Sequence, residues 1–393
     1  MVRVLAAFDK CKDSLTAGEI CALAKKTIQE ISSTIDVQEV PITDGGEGFA
    51  ELLTKCKSGD FHLTLVKDSL GREVEVPIGL IPASNVDADL LTFMNLPKSG
   101  KLAVVEMSSA AGLSDLKMEE RDPWATSSYG VGQLLLQAAE LGVVGIVLGI
   151  GGTSTNDMGV GALSALGVEF LTIENDPISF PNPRTWSKID RVSIDNLYQL
   201  PPVRIACDVN NPLLGENGAT YQFGPQKGLS MDQKQEMENA LERMSELLSS
   251  AFQKSYDLRE EPGTGAAGGM GYGLSLGYNV GFIPGFSLVK EWFEIESKIK
   301  DADLILTGEG RFDKTSLHGK GPYELIRMAS EFDKKVILLA GSTDSEAVLE
   351  CKTKFPNVEF VSFGKEELKL QENLDRAGEF FQFKLNKTLS FLR

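Results

Sequence analysis

Strand and helix segments alternate at both ends of this 393-residue chain. At the amino end, apolar runs at 2–8 and 37–42 flank a helix that begins after Thr16, which forms a predicted capping box with Glu19. Near the carboxyl end, strand runs at 304–307, 336–340 and 358–363 are separated by helical stretches. Such alternation is typical of parallel β-α-β units with right-handed crossovers. We therefore expect the two ends to share one doubly wound parallel sheet.

The middle of the chain follows a different pattern. Strand runs at 62–66, 73–81 and 102–106 have no helices between them, which predicts a mixed sheet. The chain is also long for a single hydrophobic core. We expect an α/β protein in which residues 66–284 form a second domain, inserted into a discontinuous domain of residues 1–65 and 285–393.

Composition limits the function. The net charge of -17 argues against a nucleic-acid or anionic-membrane surface. Five cysteines without a C-x-x-C pair and only two histidines disfavour a zinc site and indicate a reducing compartment. The amino end has too short an apolar run for a signal peptide, and no window is long enough to span a membrane. We expect a cytoplasmic protein.

A glycine-rich turn, Gly149-Ile-Gly-Gly-Thr-Ser-Thr-Asn-Asp157, follows a predicted strand and leads into a helix. Backbone N–H groups at such a turn bind phosphate or carboxylate oxygens. The alternative is an ordinary helix cap, although the turn carries more polar groups than a cap needs.

Two further turns follow the strand predicted at 203–207. Asp208 comes directly after it, where a carboxylate can hold Mg²⁺ or accept a proton. An Asx-turn before Pro212 is an equally good interpretation of this residue. Downstream, Phe223-Gly-Pro-Gln-Lys-Gly228 presents Lys227.

Charged residues follow the strands of the predicted parallel sheet. Parallel strands end at one edge, which would gather Asp9, Lys10, Lys12, Asp44, Glu47, Glu309 and Asp313 around one crevice. Such a mixture suits a metal-bridged phosphate, in which Mg²⁺ takes one or two carboxylates. The stretch from Gly308 to Lys320 has glycines, hydroxyls and two lysines, but it is not a Walker A loop.

Eight segments, in this order, resemble the glycerate kinases of the bacterial type-I family (glycerate 2-kinases), over about residues 4–363. They are Asp44-Gly-Gly-Glu-Gly, Glu106-Met-Ser-Ser-Ala-Ala-Gly-Leu, Arg121-Asp-Pro with Tyr129-Gly-Val-Gly, Gly151-Gly-Thr-Ser-Thr-Asn-Asp, Ala206-Cys-Asp-Val-Asn-Asn-Pro-Leu-Leu-Gly, Phe223-Gly-Pro-Gln-Lys-Gly, Gly265-Ala-Ala-Gly-Gly, and Thr307-Gly-Glu-Gly-Arg with Leu317-His-Gly-Lys. Three positions depart from the family pattern: Asp13 and Met158 replace common glycines, and Val131 replaces a common threonine.

The resemblance implies a flavodoxin-like doubly wound parallel sheet built from both chain ends, an inserted α/β domain with a mixed sheet, and an active site in the cleft between them. It implies ATP-dependent phosphorylation of D-glycerate with Mg²⁺, 2-phosphoglycerate being favoured over 3-phosphoglycerate as the product. It gives no oligomeric state.

Site residues are assigned on the resemblance together with the turns described above. The catalytic candidates are Asp208, Lys320 and Asp44. The substrate-binding candidates are Asp9, Lys12, Ser14, Glu47, Arg121 and Lys227. The nucleotide-binding candidates are Gly151, Gly152, Thr153, Ser154, Asn156, Asp157, Gly308, Gly310 and Arg311, and the Mg²⁺ ligands are Glu309 and Asp313. Lys320 is expected to neutralise charge on the transferred phosphoryl group.

Two alternatives belong to other functional classes. The first is an NAD(P)-dependent hydroxy-acid dehydrogenase, since Gly263-Thr-Gly-Ala-Ala-Gly268 matches G-x-G-x-x-G. That match follows Pro262 rather than a strand, so we interpret it as a closely packed helix start. The second alternative is a non-catalytic small-molecule sensor on the same scaffold.

Overall fold

The structure is a computed structural model that describes residues 2–43 and 45–392. Its strands are β1 Arg3–Phe8, β2 Asp36–Glu39, β3 Asp60–Lys67, β4 Glu73–Pro82, β5 Lys101–Glu106, β6 Gly145–Gly149, β7 Glu169–Leu171, β8 Arg191–Ser193, β9 Val203–Ala206, β10 Val280–Ile283, β11 Leu304–Phe312, β12 Lys335–Thr343 and β13 Val358–Ser362. Its α-helices are α1 Ala17–Ile31, α2 Phe49–Cys56, α3 Ala88–Phe93, α4 Ser108–Ala111, α5 Tyr129–Glu140, α6 Val160–Ala165, α7 Ala219–Phe223, α8 Lys234–Phe252, α9 Ala266–Gly277, α10 Gly285–Trp292, α11 Ile295–Asp301, α12 Gly321–Glu331, α13 Ser345–Lys354, α14 Leu370–Asp375 and α15 Ala377–Thr388.

The chain divides into two compact units. The first contains Met1–Asp44 and Phe286–Arg393, and the second contains Gly45–Gly285. The sequence placed the amino-side boundary after residue 65, whereas the structure places α2 and β3 in the second unit. The reason is strand pairing, because β3 is hydrogen-bonded to β4 along its whole length.

The first unit contains a five-stranded sheet in the order β13-β12-β11-β1-β2. All four pairings are parallel, and Val4 of β1 stands beside Leu304 of β11. Counted along the unit, this is the strand order 2-1-3-4-5 of flavodoxin-like folds. The predicted doubly wound parallel sheet from both chain ends is therefore confirmed.

Both faces of this sheet are buried. Alternate residues of β1, β11 and β12 pack against α1 and α15, where Phe381 meets Phe8 and Phe363 with its ring centroid at 5.4 and 5.6 Å. The residues between them are buried too, and α11 and α12 pack against these strands. The capping box of α1 is confirmed, since the backbone N–H of Glu19 donates to the Thr16 hydroxyl and its carboxylate accepts from Thr16 N–H.

The second unit contains a six-stranded sheet in the order β10-β9-β6-β5-β4-β3. The β3/β4 and β4/β5 pairings are antiparallel, and the pairings from β5 to β10 are parallel, which confirms the predicted mixed sheet. The helices α5 and α9 contribute to its core. In the described part of the chain, no helix combines the length and apolarity needed to cross a bilayer.

Each sheet has one edge at which parallel strands end. In the first unit, the chain passes from β2 on one side of β1 to β11 on the other, so the ends of β1 and β11 form the topological switch point. In the second unit, β5, β6 and β9 end at Glu106, Gly149 and Ala206. Ligands of α/β proteins bind outside the carboxyl ends of such strands.

Candidate active site

The switch point of the first unit is rich in charge. The Asp9 N–H donates to the carbonyl of Gly308 at 2.9 Å, which ties the residues after β1 to β11. The Asp9 carboxylate is mostly buried and accepts from the N–H of Lys10 at 2.7 Å. Burial, with added repulsion from Asp9 and Glu309, raises the pKa of the Cys11 thiol to about 12. The Cys11 thiol therefore stays protonated beside the carboxylates of Asp9 and Glu309.

Glu309 is a buried carboxylate in β11. Its side chain is 7% exposed, and Lys320 Nζ lies 3.3 Å from its Oε2. Its other oxygen, Oε1, makes no hydrogen bond to the described residues. Burial raises the pKa of Glu309, while Lys320 and the nearby Ser316 hydroxyl oppose that shift. A buried carboxylate oxygen with unused acceptor capacity fits a hard divalent cation.

Lys320 is the residue before α12, and its side chain is 41% exposed. The first N–H groups of a helix carry a partial positive charge, so a lysine at this position makes the site strongly anion-attracting. Gly321 brings α12 close to Ile42, because a Cβ there would lie 2.5 Å from the Ile42 Cγ2 atom. Lys320 thus combines a fixed helix start with a charged group that a ligand can reach.

Asp313, the second predicted metal ligand, is engaged in a turn. Its Oδ1 accepts from the N–H and the hydroxyl of Thr315, and Arg311 Nε lies 3.5 Å from its Oδ2. Thr315 is the main cause of the lowered pKa of Asp313. Groups of three or more metal-ligating side chains are absent from residues 2–43 and 45–392. Glu309 therefore has a buried oxygen without a hydrogen bond, whereas the Oδ2 of Asp313 lies in an ion pair with Arg311.

In the second unit, a polar cluster surrounds the ends of β5 and β6. Glu106 accepts from the N–H groups of Gly48 and Ala50 and from the Ser108 hydroxyl, so it holds the start of α2. Glu47 accepts from the Ser114 hydroxyl at 2.6 Å.

Two more acidic groups adjoin this cluster. Burial, followed by repulsion from Glu47, raises the pKa of Asp115. Asp208 is exposed just after β9, and the preceding Ala206 carbonyl would lie 3.2 Å from a Cβ on Gly45. The turn that contains Glu47 therefore begins beside the end of β9.

The turn at 151–157 is solvent-accessible at its start and buried over the rest of its length. Gly151 and Gly152 reach solvent, whereas the side chains from Thr153 to Asp157 are buried. Ser154 donates to the carbonyl of Ala111, and Asn156 donates to the Thr220 hydroxyl. In this structure those side chains hold the turn in place, and Gly151 and Gly152 are the part that a ligand can reach.

Asp157 lies at the base of the same turn. It accepts from the N–H groups of Ser128, Gly159 and Gly161 and from the Ser128 hydroxyl. Burial raises its pKa despite these bonds. The Asp157 carboxylate therefore fastens the starts of α5 and α6 to the turn.

Lys227 is also internal, with 2% of its surface exposed. Its Nζ donates to the carbonyl of Thr155 at 2.6 Å and lies 3.4 Å from the Thr153 hydroxyl. Burial lowers the pKa of Lys227 to about 7, and the charge of Asp157 opposes the shift. The adjacent Gly228 packs on the backbone of the half-buried Arg121.

We expect Lys227 to make the stability of the protein depend on pH. Below pH 7 both states carry the proton, and the folded state bears a buried ammonium group. Between pH 7 and about 10.4, the ordinary pKa of lysine, the unfolded state binds more protons, so the free energy of unfolding rises with pH. The free energy of unfolding, measured by chemical denaturation across this pH range, should rise with pH in the wild type and should lose this rise in Lys227→Met. The exposed Lys188→Met serves as the control, and an unchanged pH dependence in Lys227→Met would contradict the assignment.

The remaining predicted residues have definite places. Ser14 donates to the Leu374 carbonyl at 2.7 Å, and Lys12 is exposed beside Gly310 and Arg311 in the first unit. A Cβ on Gly308 would lie 1.7 Å from the Leu339 carbonyl oxygen, so that glycine is required by the sheet itself. Asp44 lies outside the described residues.

Both departures from the family's glycines keep the backbone that glycine favours. Asp13 has φ +60° and Met158 has φ +53°, in the left-handed region. The Met158 side chain is fully buried, as is that of Val131. The motif at Gly263–Gly268 is closely packed, as predicted, because a Cβ on Gly268 would lie 2.2 Å from the Thr155 carbonyl oxygen.

Sequence reasoning did not assign a role to Glu106, Ser108, Ser114 or Asp115. Glu106 could have been found, since it is a carboxylate directly at the end of a strand, as Asp208 is. Ser114 and Asp115 gave no such signal because they lie in an irregular segment after α4.

Comparison with known proteins gives consistent matches along the chain. The model of the glycerate kinase family matches residues 4–391. A glycerate kinase of Haemophilus influenzae is 38% identical over 335 residues, covering 85% of this chain and 84% of the relative. The glycerate 2-kinase of Escherichia coli K12 is 36% identical over 351 residues, covering 88% and 87%. The crystal structure of a Salmonella typhimurium LT2 protein assigned as glycerate kinase 2 has a TM-score of 0.76 and 30% identity, covering 100% of this chain and 98% of that one.

Proposed function

The chain belongs to the glycerate kinase family, and on this premise we propose that it transfers the γ-phosphoryl group of ATP to the 2-hydroxyl of D-glycerate. The products are then 2-phosphoglycerate and ADP. The name of the E. coli relative, a glycerate 2-kinase, supports the choice of the 2-hydroxyl. The enzyme is thus a phosphotransferase rather than a dehydrogenase or a sensor.

One observation in the structure carries the proposal: Lys320 is paired with the buried Glu309 at a helix start, next to the switch point of the first sheet. Phosphoryl transfer depends on positioning and on neutralising charge over the phosphoryl oxygens. Lys320, whose side chain is 41% exposed, is our candidate cation for that task. Glu309 is the carboxylate that we propose as a ligand of Mg²⁺, which when bound supplies further positive charge to the phosphates.

In the second unit, Asp208 is our candidate for orienting the acceptor hydroxyl and taking its proton. Arg121 remains the candidate for the carboxylate of glycerate. Lys227 is enclosed, so we propose that it supports the 151–157 turn rather than contacting glycerate directly. The exposed Gly152 is the residue of this turn that we propose to offer a backbone N–H group to an anion, because the Gly151 N–H donates to the Gly45 carbonyl at 2.9 Å.

The activity predicts a preference between two acceptors. We expect Mg²⁺-dependent ADP release with D-glycerate to exceed that with glycerol by at least about tenfold, because a charged hydrogen bond to the carboxylate is worth about 1.5–3 kcal/mol. A coupled assay of ADP, with EDTA as the metal-free control, measures this ratio. Equal rates for the two acceptors would contradict recognition of the carboxylate. ³¹P NMR of the product then identifies the phosphorylated hydroxyl.

A further inference from the structure

The first unit contains a cavity of about 570 Å³ at the carboxyl ends of β11, β12 and β13. Ligand sites of proteins commonly have volumes of about 300–1,000 Å³. The cavity is lined on one side by residues 11–13 and on the other by residues 362–377. It therefore lies beside the switch point rather than on the outer surface of the helices.

The floor of the cavity consists of backbone. Gly341 stands opposite Gly310, since Glu309 pairs with Ala340 and Arg311 with Ser342. A Cβ on Gly341 would lie 2.6 Å from the Gly310 carbonyl oxygen, and a Cβ on Gly364 would lie 2.4 Å from that of Gly341. Adjacent strand ends thus meet at glycines, which leaves a surface without side chains where a flat group can approach the sheet closely.

The lining of the cavity combines apolar and polar side chains. Phe363, Leu368, Leu374 and Ala377 form part of the wall, and Phe363 and Ala377 are nearly fully buried. The hydroxyl residues Ser342, Thr343 and Ser362 and the exposed cations Lys12 and Arg311 also line the cavity. The site therefore offers an apolar surface together with hydroxyls and positive charge.

The loop at 364–373, which contributes to the lining of the cavity, is held by hydrogen bonds. The Asn373 side chain accepts from the N–H of Lys365 at 2.8 Å and donates to the carbonyl of Lys365 at 2.9 Å. The N–H of Gly364 donates to the carbonyl of Gly341 at 3.0 Å. These bonds preorganise the wall, which lowers the cost of ordering it when a ligand binds.

We infer that this cavity binds the nucleoside part of ATP, an assignment that rests on the proposed kinase function. Glycerate has almost no apolar surface and would leave the wall of Leu368 and Leu374 uncovered. A purine with its ribose has a flat apolar face for the glycine floor and hydroxyls for the serine and threonine side chains. Lys12 and Arg311 then attract the phosphates, so Lys12, a predicted substrate-binding residue, serves the nucleotide rather than glycerate.

The test uses the full chain and ADP as the probe, with binding measured by isothermal titration calorimetry. Ser342→Trp fills the cavity from an exposed position, and Leu374→Gln removes apolar wall without altering the backbone carbonyl that Ser14 contacts. We expect each variant to raise the Kd for ADP at least about tenfold and to leave the KM for D-glycerate unchanged. Ser345→Trp adds the same bulk at an exposed residue outside the cavity and should bind ADP normally.

The outcomes separate the two proposals. A raised glycerate KM with an unchanged ADP Kd would overturn the inference in favour of an acceptor site. Normal ADP binding in both folded cavity variants of an active enzyme would overturn it as well. If the wild type binds ADP in a cavity-dependent way but does not phosphorylate D-glycerate, the cavity assignment stands and the proposed function fails.

Discussion

Replacing Lys320 with methionine should lower kcat several hundredfold, which corresponds to about 3–4 kcal/mol of transition-state stabilisation. The Lys320 ammonium group lies 3.3 Å from Glu309 and directly precedes the first turn of α12. Methionine keeps the length of the side chain and removes its charge. The loss should appear in kcat more than in the KM for ATP, because the charge on the phosphoryl group develops during transfer. Steady-state kinetics alongside chemical unfolding separate catalysis from stability.

Lys314 provides the matched control for this substitution. It lies on the same loop, is exposed, and pairs with Glu346 rather than with a buried carboxylate. Lys314→Met should change stability by less than about 0.5 kcal/mol and leave kcat unaltered. A normal kcat in Lys320→Met would show that the loop is structural. The phosphates would then have to be held elsewhere, with the turn at the exposed Gly152 as the next candidate.

Replacing Asp208 with asparagine should lower kcat by about 10²-fold or more, if the carboxylate orients the acceptor hydroxyl and takes its proton. Asparagine has nearly the same size and can still form a hydrogen bond, but it cannot act as a base. Asp208 is exposed at the end of β9, so the substitution should leave the fold intact. Steady-state kinetics with D-glycerate measure this loss, and chemical unfolding checks that the fold is kept.

Glu216→Gln is the control for Asp208→Asn, because Glu216 is an exposed carboxylate in the same irregular segment after β9. Its kinetics should equal those of the wild type. If Asp208→Asn keeps a normal kcat, the residue is a turn former before Pro212, which was the alternative interpretation of the sequence.

The architecture of the first unit could be predicted because its strands are buried on both faces. Such strands are short continuous apolar runs, and the capping box of α1 marks where a helix begins between two of them. The observed boundary before Gly45 could not be predicted, and the sequence placed it after residue 65 instead, because the sequence of a single strand does not indicate which sheet the strand joins. The pairing of β3 with β4 decides that, and pairing is a property of the folded chain.

The sequence indicated which positions belong to the candidate site, but it did not indicate which of their side chains are buried. Strand ends pointed to Asp208, Glu309 and the 151–157 turn. Polar residues beside glycines look the same whether they face a ligand or the interior, so the burial of Asp157 and Lys227 had no sequence signal. Only the fold shows that a carboxylate and a lysine there hold a turn from within.

The pairing of β1 with β11 has a consequence for folding during synthesis on the ribosome. Val4 meets Leu304 only after the whole second unit has been synthesised. Contacts so distant in sequence form slowly, and domains fold as units while the chain emerges. The second unit is continuous in sequence, so it completes its sheet first. Until then, the edge of β1 that pairs with β11 is exposed to other chains. A chain truncated before Leu304 would therefore contain a complete second unit, but its β1 and β2 would lack the three strands that complete their sheet.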